Sequence, residues 1–339
     1  MLKIKTDIKH CLVFSHSDAD GALAAFAVKY AFDNNLFNSE WDRNVDCQLC
    51  DYSDKYNLQY FKARVNDFMN EVKSKNSEVK NEDIMVFMLD YSIQPSEDMM
   101  KFYNFVTKIV KVKFYWIDHH SSAIENLIHF SIPGLQTTES CACVNTWNFL
   151  KDLAPGLIKE DELPLVYKLV NEFDLWHRDS EEFSWENQIM PCVLLLQSYK
   201  FDVNDNEGKF AKMMMQYIED EGLSLTNDMK TIGKALYEFK KSEDIKNSQK
   251  IYEATFLKKY RCLALNAIDH GSEIFGYCSS FSPNDVDLLI IWHYDGSFYE
   301  YNIYTEKNDI DVGKICEDFL DGGGHQKAGG GRSREMLLA

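Results

Sequence analysis

Short apolar runs alternate with stretches of helical periodicity through the first half of the chain. Strands are predicted at residues 11–15, 45–52, 84–89 and 112–117. Between them, apolar residues recur about every 3.6 positions, which predicts helices at 22–32, 56–73 and 96–108. Alternation of this kind is typical of βαβ units and therefore predicts a mostly parallel sheet flanked by helices.

The second half changes character twice. Residues 160–250 have a largely helical pattern, which includes a long charged amphipathic helix at 226–250. Strand patterns then return at 261–267, 273–277, 286–293 and 297–304, before a last helix at 312–320. We therefore expect an α/β protein with a first domain at 1–200, a helical linker at 201–254 and a smaller C-terminal α/β domain at 255–339.

Composition and charge restrict the partners. The 339 residues carry a formal net charge of −18, which argues against a groove for long duplex nucleic acid, because such grooves neutralise phosphates with Lys and Arg. A small anionic substrate is compatible with this charge if bound metal ions supply positive charge. No apolar run reaches the length of a membrane span and residues 1–7 do not lead into a signal-peptide core, so we expect a cytoplasmic protein with no membrane partner.

The nine cysteines are scattered and odd in number, which indicates reduced thiols rather than a disulfide framework.

Two polar clusters directly follow predicted strands. The first is His16, Asp18 and Asp20, followed by Gly21. In an extended segment, residues two apart point to the same side, so three ligands could face one metal site, and imidazole and carboxylate groups suit Mn²⁺. The alternative is an ordinary polar turn before a helix, where Asp and Gly are common.

The second cluster is Asp118-His119-His120 at the end of the fourth predicted strand. One histidine could bind metal while Asp118 accepts a hydrogen bond behind the site, and the other histidine could face the substrate as a proton donor. Asp90 ends the third strand and is either a turn residue or a bridging ligand. Asp174 would complete a two-metal set, although alone it is an ordinary aspartate at a helix end.

Six of the sixteen glycines fall within residues 322–332. We expect a loop there whose backbone N–H groups, including those of Gly323 and Gly324, bind phosphate, with His325, Lys327 and Arg332 adding donors and charge. The alternative is a flexible C-terminal tail.

Together these motifs resemble those of the DHH family of phosphoesterases over nearly the whole chain. The segment from His16 to Gly21 looks like the first family motif, Asp90 the second, Asp118-His119-His120 the signature and Asp174 the fourth. Residues 309–325 resemble the DHH-associated C-terminal domain, which implies a substrate cleft between the two domains. Within the family, the segments at 90–95 and 116–124 are most similar to the oligoribonuclease (nanoRNase, NrnB-like) branch.

The resemblance implies a ligand set and a cofactor. By family precedent two Mn²⁺ ions, with Mg²⁺ as the alternative, would be bound by His16, Asp18, Asp20, Asp90, His119 and Asp174. Asp118 and His120 would be catalytic, and Ser140 would contact a phosphate. One position departs from the pattern: Tyr304 stands where many relatives carry a substrate-directed arginine, and a tyrosine can stack on a base but cannot neutralise a phosphate.

The expected function is hydrolysis of a phosphoester in a short oligonucleotide, cut from one end, or in a small nucleotide such as adenosine 3′,5′-bisphosphate (pAp). The alternatives are a cyclic-dinucleotide phosphodiesterase, an inorganic pyro- or polyphosphatase, and a nucleotide-binding regulator with an inactive site. The oligomeric state is left open, with a homodimer as one option.

Overall fold

A computed structural model describes residues 8–33, 44–53, 55–153, 163–268 and 270–339. The predicted helical residues 160–162 and the residues 1–7 lie outside this part. The chain forms two compact units. The first extends to His119 and resumes from Ala123 to Leu236, and the second contains His120–Ser122 and Tyr237–Ala339. The division falls inside the segment 201–254, which was expected to be a linker.

The first unit is built on a five-stranded, fully parallel sheet with the strand order β2-β1-β3-β4-β5. This confirms the predicted parallel sheet. The four longer strands match the predicted ones to within two residues at each end, and a short fifth strand was missed. The strands are β1 (His10–His16), β2 (Asn44–Cys50), β3 (Ile84–Leu89), β4 (Lys113–Asp118) and β5 (Gly134–Gln136).

Both faces of this sheet are covered by apolar side chains. Along β1, Cys11 and Val13 belong to one core, whereas Leu12 and Phe14 belong to the other, and all four are fully buried. A strand buried on both faces has no polar alternation, which is why β1 and β3 appear in the sequence as continuous apolar runs.

Helices flank the sheet and extend the first unit beyond it. They are α1 (Ala19–Asp33), α2 (Leu58–Lys75), α3 (Ser96–Asn104), α4 (Ser121–Leu127), α5 (Ala142–Leu153), α6 (Leu165–Asp174), α7 (Met190–Gln197), α8 (Lys209–Glu219) and α9 (Leu223–Asp228). A π-helical turn, Phe105–Val110, continues α3, so the helix predicted at 96–108 is confirmed over both segments. The long helix predicted at 226–250 is observed as α9, a π-helical turn (Met229–Gly233) and α10 (Lys234–Ser248).

The second unit contains a six-stranded mixed sheet with the order β10-β11-β9-β8-β7-β6. Its strands are β6 (Tyr252–Phe256), β7 (Tyr260–Asn266), β8 (Leu288–Tyr294), β9 (Tyr299–Tyr304), β10 (Asp321–Gly324) and β11 (Ala328–Ser333). Its further helices are α11 (Glu273–Gly276) and α12 (Val312–Phe319). This smaller α/β unit agrees with the predicted C-terminal fold class.

The strand predicted at residues 273–277 is wrong, because this segment forms the short helix α11. The five-residue segment Glu-Ile-Phe-Gly-Tyr is too short for its hydrophobic periodicity to distinguish a helix from a strand. Here Ile274 and Phe275 are both buried in the same apolar cluster, as adjacent positions on a single helical turn can be.

The loop predicted at residues 322–331 is also wrong, because the two glycine triplets form the antiparallel strands β10 and β11. Glycine is depleted in strands, so propensity gave no signal for this hairpin. Close packing accounts for the glycines instead. A Cβ on Gly322 would lie 2.0 Å from the carbonyl oxygen of Gly330, and one on Gly329 would lie 3.0 Å from Sγ of Cys316 in α12.

None of the helices in the described part of the chain combines the length with the apolar character that a bilayer crossing requires.

The glycine hairpin predicts a stability difference between two Gly→Ala variants. A Cβ at Gly331 would lie 2.7 Å from Cβ of Leu320, whereas one at Gly276 would meet nothing within 4 Å. We expect Gly331→Ala to lower the free energy of unfolding by about 1–3 kcal/mol, as overpacking does, and the control Gly276→Ala to change it little. Urea denaturation followed by circular dichroism measures both, and equal stabilities would contradict the packing role.

Candidate metal centre

The turn between β1 and α1 places the first polar cluster at the carboxyl edge of the parallel sheet. The backbone N–H of Gly21 donates to Oδ1 of Asp18 at 2.9 Å. A Cβ on Gly21 would lie only 2.3 Å from the carbonyl oxygen of His16, so the turn is tight enough to need glycine. His16 and Asp18 are therefore held close together by the backbone itself.

Two neighbouring strands bring further carboxylates to the same edge. Asp90 directly follows β3 and Asp118 ends β4, and both are buried. The backbone of Asp90 adopts a left-handed conformation, with φ of +50°, and its N–H donates to the carbonyl oxygen of Ile117 at 2.9 Å. Aspartate tolerates this conformation better than most residues, and the bend turns the chain away from the strand.

Asp90 lies between two groups of candidate ligands. In the first group, Nδ1 of His16 is 2.9 Å from Oδ2 of Asp18 and 3.8 Å from Oδ2 of Asp90. In the second, Nε2 of His119 is 3.3 Å from Oδ1 of Asp90. The two carboxylate oxygens of Asp90 thus face different histidines, as a bridging ligand requires.

Asp20 and Asp174 complete the second group. Nε2 of His119 lies 3.6 Å from Oδ2 of Asp20 and 3.3 Å from Oδ2 of Asp174. His119 and Asp20 are each about 1% exposed, whereas Asp174 ends α6 with a side chain that is 21% exposed. All six residues predicted as metal ligands are therefore gathered at one edge of the sheet.

The amino end of α5 holds the carboxylate of Asp20. The backbone N–H groups of Ala142 and Cys143 donate to Oδ2 and Oδ1 of Asp20 at 2.8 and 2.7 Å. The unpaired N–H groups and the dipole at a helix start favour an anion there. The next bond along, from the N–H of Cys141 to Oδ1 of Asn171 at 2.9 Å, links the start of α5 to α6, which carries Asp174.

Asp118 acts on the backbone beside the ligands. Its Oδ1 accepts from the backbone N–H of His119 at 2.8 Å, and its Oδ2 accepts from the indole Nε1 of Trp116 at 3.2 Å. The carboxylate therefore fixes the backbone at His119. Its predicted role in fixing a histidine tautomer stays a prediction.

Electrostatics in the cluster oppose the ionisation of its central carboxyl group. Burial raises the pKa of the Asp90 carboxyl well above its usual range, and the charges of Asp20, Asp18, Asp174 and Asp118 raise it further. Divalent cations would relieve this repulsion. Carboxylates and imidazoles are donors that Mn²⁺ accepts, and the donor atoms lie close enough together to share an ion. The residues present therefore fit a divalent metal centre.

The predicted substrate-binding residues lie in several places. Ser140 precedes α5 in the first unit, and its carbonyl oxygen accepts from Nδ2 of Asn145 at 2.7 Å. Within the second unit, to which His120 belongs, the rings of His120 and His325 stack with centroids 5.0 Å apart. The structure thus brings together two of the residues predicted to contact substrate.

The other predicted substrate-binding residues of the glycine hairpin lie at different places along it. Gly323 and Gly324 lie in β10, and the turn that follows contains His325 and Lys327. Nζ of Lys327 donates to the carbonyl oxygen of Lys307 at 2.6 Å and to Oδ1 of Asn308 at 2.8 Å, which leaves one of its three donors for a phosphate.

Arg332 pairs with Asp321 at the opposite end of the hairpin, where its guanidinium lies 4.6 Å from the ring of Phe298. Tyr304 pairs with Ala328, and burial raises its pKa to about 12, so its hydroxyl stays protonated at neutral pH. The hairpin therefore does not bring Arg332 to His325.

Tyr52 was missed by the sequence interpretation. It follows β2, and its ring lies 5.3 Å from the ring of His16 and stacks on Tyr91 at 4.6 Å. The side chain is 48% exposed beside a candidate ligand. Its position could have been recognised from the sequence, because it lies at the end of a predicted parallel strand and the ends of the other three predicted strands already carried candidate site residues.

Comparison with known proteins gives a structural likeness only. No family model matches the chain, and no curated protein resembles it in sequence. A solved DHH domain from a member of the s1p family of ribosomal proteins superposes with a TM-score of 0.59 at 14% identity, covering 95% of this chain and 82% of the other. The chain has the DHH fold.

Two further solved structures are more distant. An exopolyphosphatase-related protein from Bacteroides fragilis has a TM-score of 0.46 at 12% identity, covering 97% of this chain and 88% of its own. RecJ from Thermus thermophilus, solved in complex with Mn²⁺, has a TM-score of 0.47 at 12% identity, covering 97% of this chain and 50% of its own. At these TM-scores neither likeness carries an argument, and the predicted nanoRNase branch stays a prediction.

The clustering of carboxylates predicts that one substitution stabilises the metal-free protein and also weakens its stabilisation by metal. Asp90→Asn removes a buried carboxyl group whose ionisation is opposed by burial and by four neighbouring carboxylates. We expect the metal-free variant to have a higher melting temperature than the metal-free wild type, whereas the increase that Mn²⁺ produces in the wild type should be largely lost.

Differential scanning fluorimetry in EDTA and in Mn²⁺ measures both effects. Asp98→Asn is a matched control, because Asp98 forms an ion pair with Lys101 in α3 and should respond to Mn²⁺ as the wild type does. An undiminished Mn²⁺ response in Asp90→Asn would contradict the assignment of Asp90 as a ligand.

Proposed function

We propose that this protein is a metal-dependent phosphoesterase that hydrolyses short oligonucleotides or small nucleotides such as pAp. The observation that carries the proposal is the position of Asp90, whose two oxygens face His16 at 3.8 Å and His119 at 3.3 Å. A carboxylate shared between two ligand groups is the arrangement that a two-metal hydrolytic site requires.

Three of the six predicted ligands are held by identified hydrogen bonds in this chain. Asp18 is fixed by the Gly21 N–H and Asp20 by the start of α5, so neither carboxylate has to be ordered when an ion binds. Asp118 fixes the backbone of His119. Two divalent ions at this site would supply positive charge to the phosphoryl oxygens and lower the pKa of the attacking water.

His120 and His325 are the proposed substrate-facing groups. An imidazole can donate a hydrogen bond to a phosphate oxygen or give a proton to the leaving oxygen. Their stacked rings would present two such donors together. Tyr304 would keep its proton and contribute no positive charge, in contrast to the arginine of many relatives.

The net charge favours a short substrate. With −18 formal charges overall, a long polyanion would be repelled outside the metal site. A dinucleotide places few phosphates on the protein surface. We therefore favour a dinucleotide or another short oligonucleotide, cut from an end, over duplex nucleic acid.

A substrate panel tests the proposal. A 5′-labelled RNA dinucleotide, pAp, a cyclic dinucleotide and pyrophosphate are each incubated with the protein in Mn²⁺ and in EDTA. We expect Mn²⁺-dependent release of mononucleotide from the dinucleotide. Preferred turnover of the cyclic dinucleotide or of pyrophosphate would move the assignment to those activities, and no turnover despite bound metal would favour a nucleotide-binding regulator.

One variant pair connects turnover to the site. His119→Ala should reduce turnover by more than about 100-fold and lower the Mn²⁺ content, because even residues that only support ligands affect such sites by about 10–100-fold. The exposed His129 is the matched control, and His129→Ala should behave as the wild type. Unchanged metal content and turnover in His119→Ala would show that the site is assigned incorrectly.

A further inference from the structure

Two of the three rings in an aromatic cluster belong to residues that flank the candidate metal ligand Asp174 in the chain. Phe173 precedes this ligand at the end of α6, and its ring stacks on Trp185 with centroids 5.9 Å apart. Trp176 follows two residues after Asp174 and meets Trp185 edge-to-face at 5.2 Å. The cluster and the ligand are therefore fixed by the same helix end.

A cation lies over two of these rings. The guanidinium carbon of Arg178 is 5.5 Å from the ring centroid of Trp176 and 5.7 Å from that of Trp185. Arg178 is exposed, whereas both tryptophans are only partly buried. Phe173 and Trp185 pack against the apolar core of the first unit. Within the described residues, Trp176 belongs to none of the apolar clusters.

The backbone conformation at Trp176 indicates that helix termination does not explain why a tryptophan stands at this position. The helix ends with two characteristic bonds, from the N–H of Trp176 to the carbonyl oxygen of Phe173 at 3.0 Å and from the N–H of His177 to that of Glu172 at 2.8 Å. These define a Schellman end, in which the residue at the Trp176 position is usually glycine because it is left-handed.

Trp176 has a φ of +60°. A bulky residue is strained in this conformation, so glycine would terminate the helix at lower conformational cost. The chain thus carries a tryptophan two residues after the candidate ligand Asp174 at a conformational cost to the backbone, although the ring belongs to none of the apolar clusters of the described residues. Strained residues of this kind concentrate at functional positions.

We propose that Trp176, supported by Trp185 and Arg178, is a stacking platform for a nucleobase of the substrate. An aromatic face binds any base, and a neighbouring arginine adds positive charge against the adjoining phosphate. The inference rests on the proposed function and deepens it, since it requires a substrate that carries a base. Inorganic pyrophosphate and polyphosphate carry no base and would gain nothing from the aromatic face.

The substitution Trp176→Gly separates binding from folding. Glycine relieves the left-handed backbone, so the variant should be at least as stable as the wild type. It should raise KM for an RNA dinucleotide by roughly tenfold or more, with kcat nearly unchanged, since stacking binds the base equally before and during reaction. A dinucleotide analogue without bases should show the same KM in both proteins. Trp176→Phe should restore most of the affinity.

Lys111→Gly is the matched control. Lys111 also ends a helical segment in a left-handed conformation, with φ of +62°, and is exposed. This variant should share the change in melting temperature but leave both KM values at the wild-type level.

A binding measurement keeps the test independent of turnover. Adenosine monophosphate, a product of the proposed reaction, should quench tryptophan fluorescence in the wild type and bind at least several-fold more weakly to Trp176→Gly. Ribose 5-phosphate should give little quenching in either protein. Unchanged adenosine monophosphate affinity, or equal KM losses with and without bases, would overturn the platform. Failure of the proposed function would instead appear as absent dinucleotide turnover in the wild type.

Discussion

Mutual repulsion among clustered carboxylates is the constraint on which the first unit depends. Asp18, Asp20, Asp90 and Asp174 lie at one edge of a parallel sheet, where burial and the charges of its neighbours disfavour the ionisation of Asp90. Repulsion between like charges would separate these groups if nothing else held them. They are held together by their positions at the ends of neighbouring strands and helices and by hydrogen bonds from backbone N–H groups. The resulting site is complementary to divalent cations.

The rest of the unit can be understood as the support for this unfavourable arrangement. Two apolar cores cover both faces of the sheet and fix the strand ends from which His16, Asp90 and Asp118 project. The start of α5 binds Asp20, and a side-chain bond from Asn171 joins α5 to α6. The left-handed conformations at Asp90 and Trp176 are held by backbone hydrogen bonds to the carbonyl oxygens of Ile117 and Phe173. Stability in the cores thus offsets local cost at the site.

Much of this unit follows from sequence, for physical reasons. Strands buried on both faces leave continuous apolar runs, so β1 and β3 were predicted within a residue at each end. The carboxyl ends of parallel strands lie at the same edge of a sheet. The sequence alone therefore predicts that His16, Asp90 and His119 lie close together, although about a hundred residues separate the first from the last. The contact of Asp20 with α5 could not be predicted, because it joins backbone groups 122 residues away whose position depends on tertiary packing.

The second unit was less predictable. The strands β10 and β11 are set by the space against Leu320 and Cys316, and glycine leaves no side-chain pattern from which to infer them. The position of Arg332 at the far end of the hairpin depends on that strand pairing, so its separation from His325 could not be foreseen. The strand β6, with the sequence Tyr-Glu-Ala-Thr-Phe, lies at the sheet edge, and only Phe256 is fully buried, so its sequence lacks a clear apolar alternation.

Manganese stoichiometry tests the central claim most directly. The full chain, freed of metal and titrated with Mn²⁺, should bind two ions, and electron paramagnetic resonance should show them magnetically coupled, because a shared carboxylate keeps such ions about 3.5–4 Å apart. In Asp90→Asn the coupling should disappear. A wild-type protein that binds no Mn²⁺, or only uncoupled single ions, would contradict a two-metal centre built around Asp90.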